Sequence, residues 1–89
     1  MVNEPLSKID QGIIKLFLDS VSDLADENGW AFLGELGNLM LKKKPDFDPR
    51  NYGHPKMLSL IKAVHKFEID ERDTGKKNTK HIYVRRKTN

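Results

Sequence analysis

Apolar residues recur along this chain with a helical period for most of its length and then switch to a period of two. Leu6, Ile9, Ile13, Phe17 and Val21 stand three or four apart, which puts them on one face of a helix running from about Ser7 to Leu24. Ser7 and Asp10 resemble a capping box ahead of that run, with Asp in place of the usual Glu. Asp-Glu-Asn-Gly at 26–29 closes the helix, and Gly29 supplies the permissive backbone of a turn. Trp30, Ala31 and Phe32 follow as a short extended piece whose two aromatic rings are expected to fill the core.

Leu33, Leu36, Leu39 and Met40 then repeat at helical spacing up to Lys44, and Pro45 stops the run. Gly34 and Gly37 weaken this helix in isolation by about 1 kcal/mol each, a loss that close approach to a neighbouring helix would offset. Beyond the stretch FDPRNYG (47–53), Pro55 suits the first turn of a third helix. Met57, Leu60, Ile61 and Val64 give that helix a core-facing stripe. Phe67 and Ile69 then alternate with Glu68 and Asp70, and Ile82 and Val84 alternate with His81, Tyr83 and Arg85. Two strands result, joined by the polar stretch ERDTGKKNTK around Gly75. The order is helix, short strand, helix, helix, strand, strand. This predicts an α+β fold of the winged helix-turn-helix type, a three-helix core closed by a C-terminal β-hairpin wing.

Length and composition narrow the class. Eighty-nine residues make a single domain, with a core from about residue 7 to 86. No apolar run approaches the ~20 residues of a membrane span, and the opening MVNEPLSKID has neither the basic nor the apolar region of a signal peptide. The absence of cysteine fits a reducing, cytoplasmic setting. The net charge of +3 conceals an asymmetry: residues 1–41 hold two Lys against seven acids, residues 42–89 fourteen Lys and Arg against six acids. A basic face built from the C-terminal half is expected of a module that meets nucleic acid.

Catalytic chemistry finds no support. His54, His65 and His81 are eleven and sixteen residues apart with no cysteine near them, which is not zinc spacing. A calcium loop beginning at Asp70 would need oxygen ligands where Arg72 and His81 stand. Neither a nucleophile–base pair nor a glycine-rich phosphate loop occurs. The chain reads as no enzyme, with no metal and no cofactor.

Binding is better supported. With the apolar stripe of the third helix turned inward, Lys56, Ser59, Lys62, Ala63 and Lys66 follow one another along its opposite face. In a helix-turn-helix this is the helix that meets nucleic acid. Lysines suit phosphates better than base edges, so binding should be salt-sensitive and weakly selective in sequence. Lys76, Lys77 and Lys80 add charge at the wing tip, with Asn78 between them. Tyr83 and Arg85 share the outer strand face with His81, either to stack an unpaired base or to pack within the sheet. Lys42, Lys43 and Lys44 suit the negative end of the second helix. In the corner FDPRNYG, Phe47 and Tyr52 are expected to enter the core. Asp48 caps local N–H groups, and Gly53 launches the third helix. Arg50 and Asn51 are left exposed to ligand or solvent.

Gly29, Trp30, Leu36, Gly37, Pro45, Phe47, Asp48, Tyr52, Gly53, Leu60 and Phe67 together resemble the pattern of the LOTUS domain, also called OST-HTH. The Phe-Asp-x-x-x-Tyr-Gly corner is the most specific part of the likeness. The resemblance implies a winged helix-turn-helix that binds RNA, with a preference for G-rich and G-quadruplex RNA. It also implies company: bacterial members sit beside NYN-type, PIN-like nuclease domains, so this chain is expected to be one domain of a longer protein. An extended form of the family, with an added C-terminal helix, binds and stimulates a DEAD-box RNA helicase. Only Lys87, Thr88 and Asn89 follow Arg86, so the chain is similar to the minimal form and helicase binding is not expected. Two other classes stay open: a protein-interaction adaptor docking a helicase or nuclease through its first or second helix, and a duplex-DNA reader of the same fold. A monomer is expected.

Overall fold

Asp10, and not Ser7, starts the first helix in the computed structural model, which describes residues 9–87. Its Oδ1 accepts a hydrogen bond from the Ile13 N–H at 3.0 Å. A carboxylate this short suits the cap itself better than the reach back from the third position that Glu makes. Helix α1 then runs Gln11–Leu24 and buries Ile13, Phe17 and Val21. Leu6 and Ser7, assigned to this helix from the sequence, lie outside the described residues.

Strand β1 is only Ala31–Phe32 and passes without a loop into helix α2, Leu33–Lys43. The corner contains one turn of 3-10 helix, Pro49–Tyr52. Helix α3 is Met57–Val64, and strands β2 and β3 are Phe67–Asp73 and Lys80–Arg86. The sheet is antiparallel throughout, in the order β1-β3-β2. Three helices against a three-stranded antiparallel sheet make an α+β arrangement compatible with a winged-helix-like fold.

Three details depart from the sequence reading. Pro55 precedes α3 instead of lying in its first turn, because Lys56 is extended (φ −142°, ψ 157°) and serves as the N-cap. The hairpin is longer than its apolar alternation suggested: Glu71, Arg72 and Asp73 pair with Ile82, His81 and Lys80. This outer part extends past the core, so polar side chains occupy it and the apolar signal fades. Trp30 and Phe32 are half-buried and stand outside the core cluster. Ala31, fully buried, sits opposite Val84 on the inner face of the sheet. Strand alternation turns its two neighbours outward.

The two glycines of α2 serve different neighbours than another helix backbone. A Cβ on Gly34 would come within 2.9 Å of the Phe32 ring, so Gly34 makes room for that ring. A Cβ on Gly37 would meet only the Met57 methyl at 3.8 Å, an ordinary contact with α3.

Phe17 is fully buried at the centre of the core. Its ring meets Phe47 edge-on at 5.8 Å between centroids and Phe67 at 6.3 Å. Around these pack Ile13, Val21, Leu36, Met40, Leu60, Ile61 and Val84. Replacing Phe17 by Ala removes one ring from three elements at once. We expect a loss of about 3–5 kcal/mol in urea unfolding, a large share of what so small a domain can hold. A loss below about 1 kcal/mol would show that the core does not depend on this ring.

Candidate nucleic-acid interface

The cations assigned to one helical face divide between a helix and its flanks. Lys62 lies within α3, Lys56 is its N-cap, and Lys66 stands beyond its end. His65 closes the helix in the left-handed region (φ 61°), so the chain turns before Lys66. The Lys66 carbonyl accepts from the Lys87 N–H at 2.9 Å, which places Lys66 at the base of the hairpin beside Arg86 and Lys87. These residues rim an open groove against Ile14 and Leu18 of α1. Ser59 is half-buried and bonds His54 Nδ1 at 2.8 Å, so its hydroxyl is already engaged.

Lys76, Lys77 and Lys80 are fully on the surface at the opposite end of the hairpin. Their turn is ordered by short-range bonds: Asp73 Oδ1 accepts from the Gly75 N–H at 2.9 Å, and the Thr74 hydroxyl donates to the Thr79 carbonyl at 3.1 Å. Six register positions separate Phe67↔Arg86 from Asp73↔Lys80. Base and tip are therefore about 20 Å apart. Lys56, Lys62, Lys66, Lys76, Lys77 and Lys80 are all exposed, and none has a carboxylate partner among the described residues. Of the lysines ending α2, Lys43 pairs with Asp23 at 2.7 Å and Lys44 with Asp46 at 3.2 Å.

The outer face of the sheet carries a different chemistry. Phe32 lies opposite Tyr83, Tyr83 opposite Asp70, His81 opposite Arg72 and Arg85 opposite Glu68. The Arg85 guanidinium lies 4.4 Å from the Trp30 ring centre. That of Arg72 lies 3.9 Å from Tyr83 and 5.5 Å from Trp30. Phe32 continues the row, 5.5 Å from Tyr83 and 4.9 Å from His81. Glu68 holds Arg85 at 3.0 Å and Asp70 holds Arg72 at 2.9 Å. Tyr83, Arg85 and His81 thus share a face as the alternation implied. Trp30, Phe32 and Arg72 join them unforeseen. The readable signal was period two across Trp30-Ala31-Phe32, with the small residue facing in.

Trp30 is positioned by Asp26, whose Oδ1 accepts from the N–H groups of Asn28 at 2.8 Å and Trp30 at 2.9 Å. Gly29 lies between them at φ 89°, and a Cβ there would press to 3.1 Å on the Arg85 side chain. Gly29 therefore serves both the turn and the stacking of Arg85 on Trp30.

The corner shows the same economy. Phe47 is buried and lies 6.1 Å from the half-buried Tyr52 ring. Asp48 Oδ1 accepts from the Arg50 N–H at 2.9 Å, and Gly53 adopts φ 84° at the exit. Arg50 is exposed but not free: its guanidinium grips the Asp48 carboxylate, Nη2 to Oδ2 at 2.7 Å. That pair and the backbone bond hold the Asp48 carboxyl below its ordinary value. Asn51 is exposed and reaches the Asp46 carbonyl at 3.5 Å. Among the described residues no cluster of three or more His, Asp or Glu could hold a metal ion. No described helix is long and apolar enough to cross a membrane.

Two outcomes test this geometry. Gly29→Ala should destabilise the fold by more than about 1 kcal/mol and shift the fluorescence of the single tryptophan as Arg85 is displaced. An unchanged spectrum would separate Gly29 from the Trp30–Arg85 stack. Asp26 is held ionised to lower pH than in the unfolded chain, chiefly by the Trp30 N–H and also by that of Asn28. Its contribution to stability is complete above the ordinary value of 3.8 and is lost as pH falls through the lower folded value. The gap in urea midpoint between the protein and its Asp26→Asn variant should therefore narrow from about pH 6 to about pH 2.5. A gap independent of pH would exclude the carboxylate as the cause.

The sequence pattern of the OST-HTH/LOTUS domain matches residues 4–79, from before α1 to the hairpin turn. A solution NMR structure of an uncharacterized protein from Nitrosomonas europaea is similar, with a TM-score of 0.75 and 35% identity over 99% of this chain and 84% of that one. A solution NMR structure of a segment of a Chromobacterium violaceum protein gives 0.63 and 25% identity, covering 93% and 87% of the two chains. No curated protein matches significantly in sequence. OST-HTH/LOTUS domains are non-catalytic modules that bind RNA or proteins. With that pattern spanning most of its length, and with the corner and helices in place that the pattern requires, this chain belongs to the OST-HTH/LOTUS domain family.

Proposed function

We propose that this chain is a non-catalytic RNA-binding module of winged helix-turn-helix type, with the β2–β3 hairpin as its wing. It holds G-rich or structured RNA, quadruplexes included, through the cations around α3 and at the wing tip. In a longer cytoplasmic protein it would direct an attached NYN-type nuclease domain to its substrate. One observation carries the reading. Lys15, Lys43, Lys44, Arg50, Arg72 and Arg85 are matched with carboxylates, whereas Lys56, Lys62, Lys66, Lys76, Lys77 and Lys80 are exposed and unmatched among the described residues, as are Lys42, Arg86 and Lys87. Unmatched lysines attract phosphates without having to break an ion pair first. Because they stand at the start, middle and base of the α3–hairpin unit and again at its tip, they suit a ligand that covers about 20 Å of the hairpin rather than a point anion.

A protein-interaction role is the second reading, favoured by one feature: Leu41 on α2 is 48% exposed, the large hydrophobic that stands out on the described surface. Recovery of a helicase or nuclease partner after RNase treatment, lost on Leu41→Glu, would support it. Stronger competition by a duplex DNA than by a G-quadruplex RNA of equal length would instead favour a DNA reader.

The main test is the triple substitution of Lys56, Lys62 and Lys66 by Glu. With three phosphate contacts removed from a single strand, affinity should fall about a hundredfold near 0.1 M salt and the salt slope by about two. Fluorescence anisotropy with a G-rich RNA measures both. Unchanged affinity would rule this surface out.

A further inference from the structure

We infer that the outer face of the sheet is a stacking platform for the unpaired bases of a single-stranded RNA, with Arg72 and Arg85 as the planes that receive them. This rests on the RNA-binding reading above and deepens it by naming the part of the ligand that a second surface takes.

The observations run from charge to shape. The face holds two arginines and two carboxylates, each arginine tied to one carboxylate: Arg72 to Asp70 and Arg85 to Glu68. Their charges cancel, so the face offers a phosphate no net attraction, unlike the unmatched lysines. It offers planarity instead. Each guanidinium is held by a carboxylate and lies over a ring, Arg72 over Tyr83 at 3.9 Å with Trp30 further off at 5.5 Å, and Arg85 over Trp30 at 4.4 Å. Yet the Arg72 and Arg85 side chains remain 40% and 35% exposed. A guanidinium this accessible leaves part of its plane within reach of a flat ligand. Nucleobases stack on such planes as they do on aromatic rings.

Held in this way, the planes carry little further ordering penalty when a ligand arrives. His81, exposed and in contact with Phe32, prolongs the row toward the lysine-bearing tip. Lys80 adjoins it in sequence, so a strand whose bases lie on the sheet can place its backbone among Lys76, Lys77 and Lys80. A duplex cannot use this face, since its bases are already stacked and paired.

The test separates plane from charge. Arg72→Lys with Arg85→Lys keeps both positive charges and removes both planes. Arg72→Lys alone, which leaves the Trp30–Arg85 stack intact, is the second variant should the double one unfold. Fluorescein-labelled single-stranded RNA of mixed sequence, about twelve nucleotides long, and a hairpin duplex of the same composition are titrated over a salt series. For the single strand, the double variant should bind roughly five- to a hundredfold more weakly, with an unchanged salt slope and unchanged duplex affinity. Unchanged single-strand affinity overturns the inference and leaves the face to a protein contact. A weaker affinity with a smaller salt slope also overturns it, because the loss would then lie in displaced phosphate contacts and not in the planes. If the unsubstituted protein binds neither RNA but binds the G-rich RNA used above, this inference falls and the RNA-binding reading stands; if it binds none of the three, both fail. If it binds and only the lysine variants weaken it, that reading stands and the stacking inference falls.

Discussion

The ring of Phe17 meets two others, and those two bracket the third helix in sequence. Phe47 opens the corner before α3, and Phe67 begins β2 just after it. The chain leaves the Phe17 ring at residue 47 and returns to it at residue 67, so α3 is strung between two anchors on one side chain of α1. Edge-to-face contact constrains the approach of each ring as well as burying it. The direction of α3 and the starting point of the hairpin are therefore set by the same contact. The left-handed turn at His65 and the left-handed Gly53 are how the backbone meets that constraint at either end of the helix.

Charge does little of the holding and much of the sorting. The ion pairs here are exposed to solvent, and such pairs contribute only about 0–1 kcal/mol each. Their effect lies in which cations they occupy. Lys43, Lys44 and Arg50 are matched along α2 and the corner, and Arg72 and Arg85 on the sheet. The same guanidinium chemistry that would make Arg50 an RNA contact is spent on stiffening its own turn. The surface thus divides into a lysine-bearing part with uncompensated charge and a sheet face with compensated charge and ordered planes.

Much of this was legible in the sequence, for reasons that can be named. Helices α2 and α3 carry apolar stripes long enough for their period to emerge, and in the corner the short carboxylate of Asp48, the ring of Tyr52 and the permissive backbone of Gly53 each suit few other purposes. What escaped notice has physical reasons too. A strand of two residues gives its alternation little weight against the apolar character of Trp30 and Phe32, which read as core although, of the three residues, only Ala31 enters it. The end of α3 falls at His65, a non-glycine residue at positive φ, which no stop signal marked. Lys66 was consequently placed on the helix. The outer hairpin escaped because beyond the core there is no apolar face to alternate, and only cross-strand pairs such as Asp73 with Lys80 hold its register.

Among the described residues, strand β2 forms one edge of the sheet, with its outward backbone groups free of a neighbouring strand in the order β1-β3-β2. Such an edge is a template on which another chain can add, and in many sheets it is the origin of aggregation. Here five of the seven residues, Glu68, Asp70, Glu71, Arg72 and Asp73, are charged. Four of these five are acidic, so a second β2 laid alongside in parallel register would bring carboxylates against carboxylates. The carboxylates that pin Arg72 and Arg85 therefore also oppose such a pairing. A strand that pairs with this edge must bring positive charge of its own.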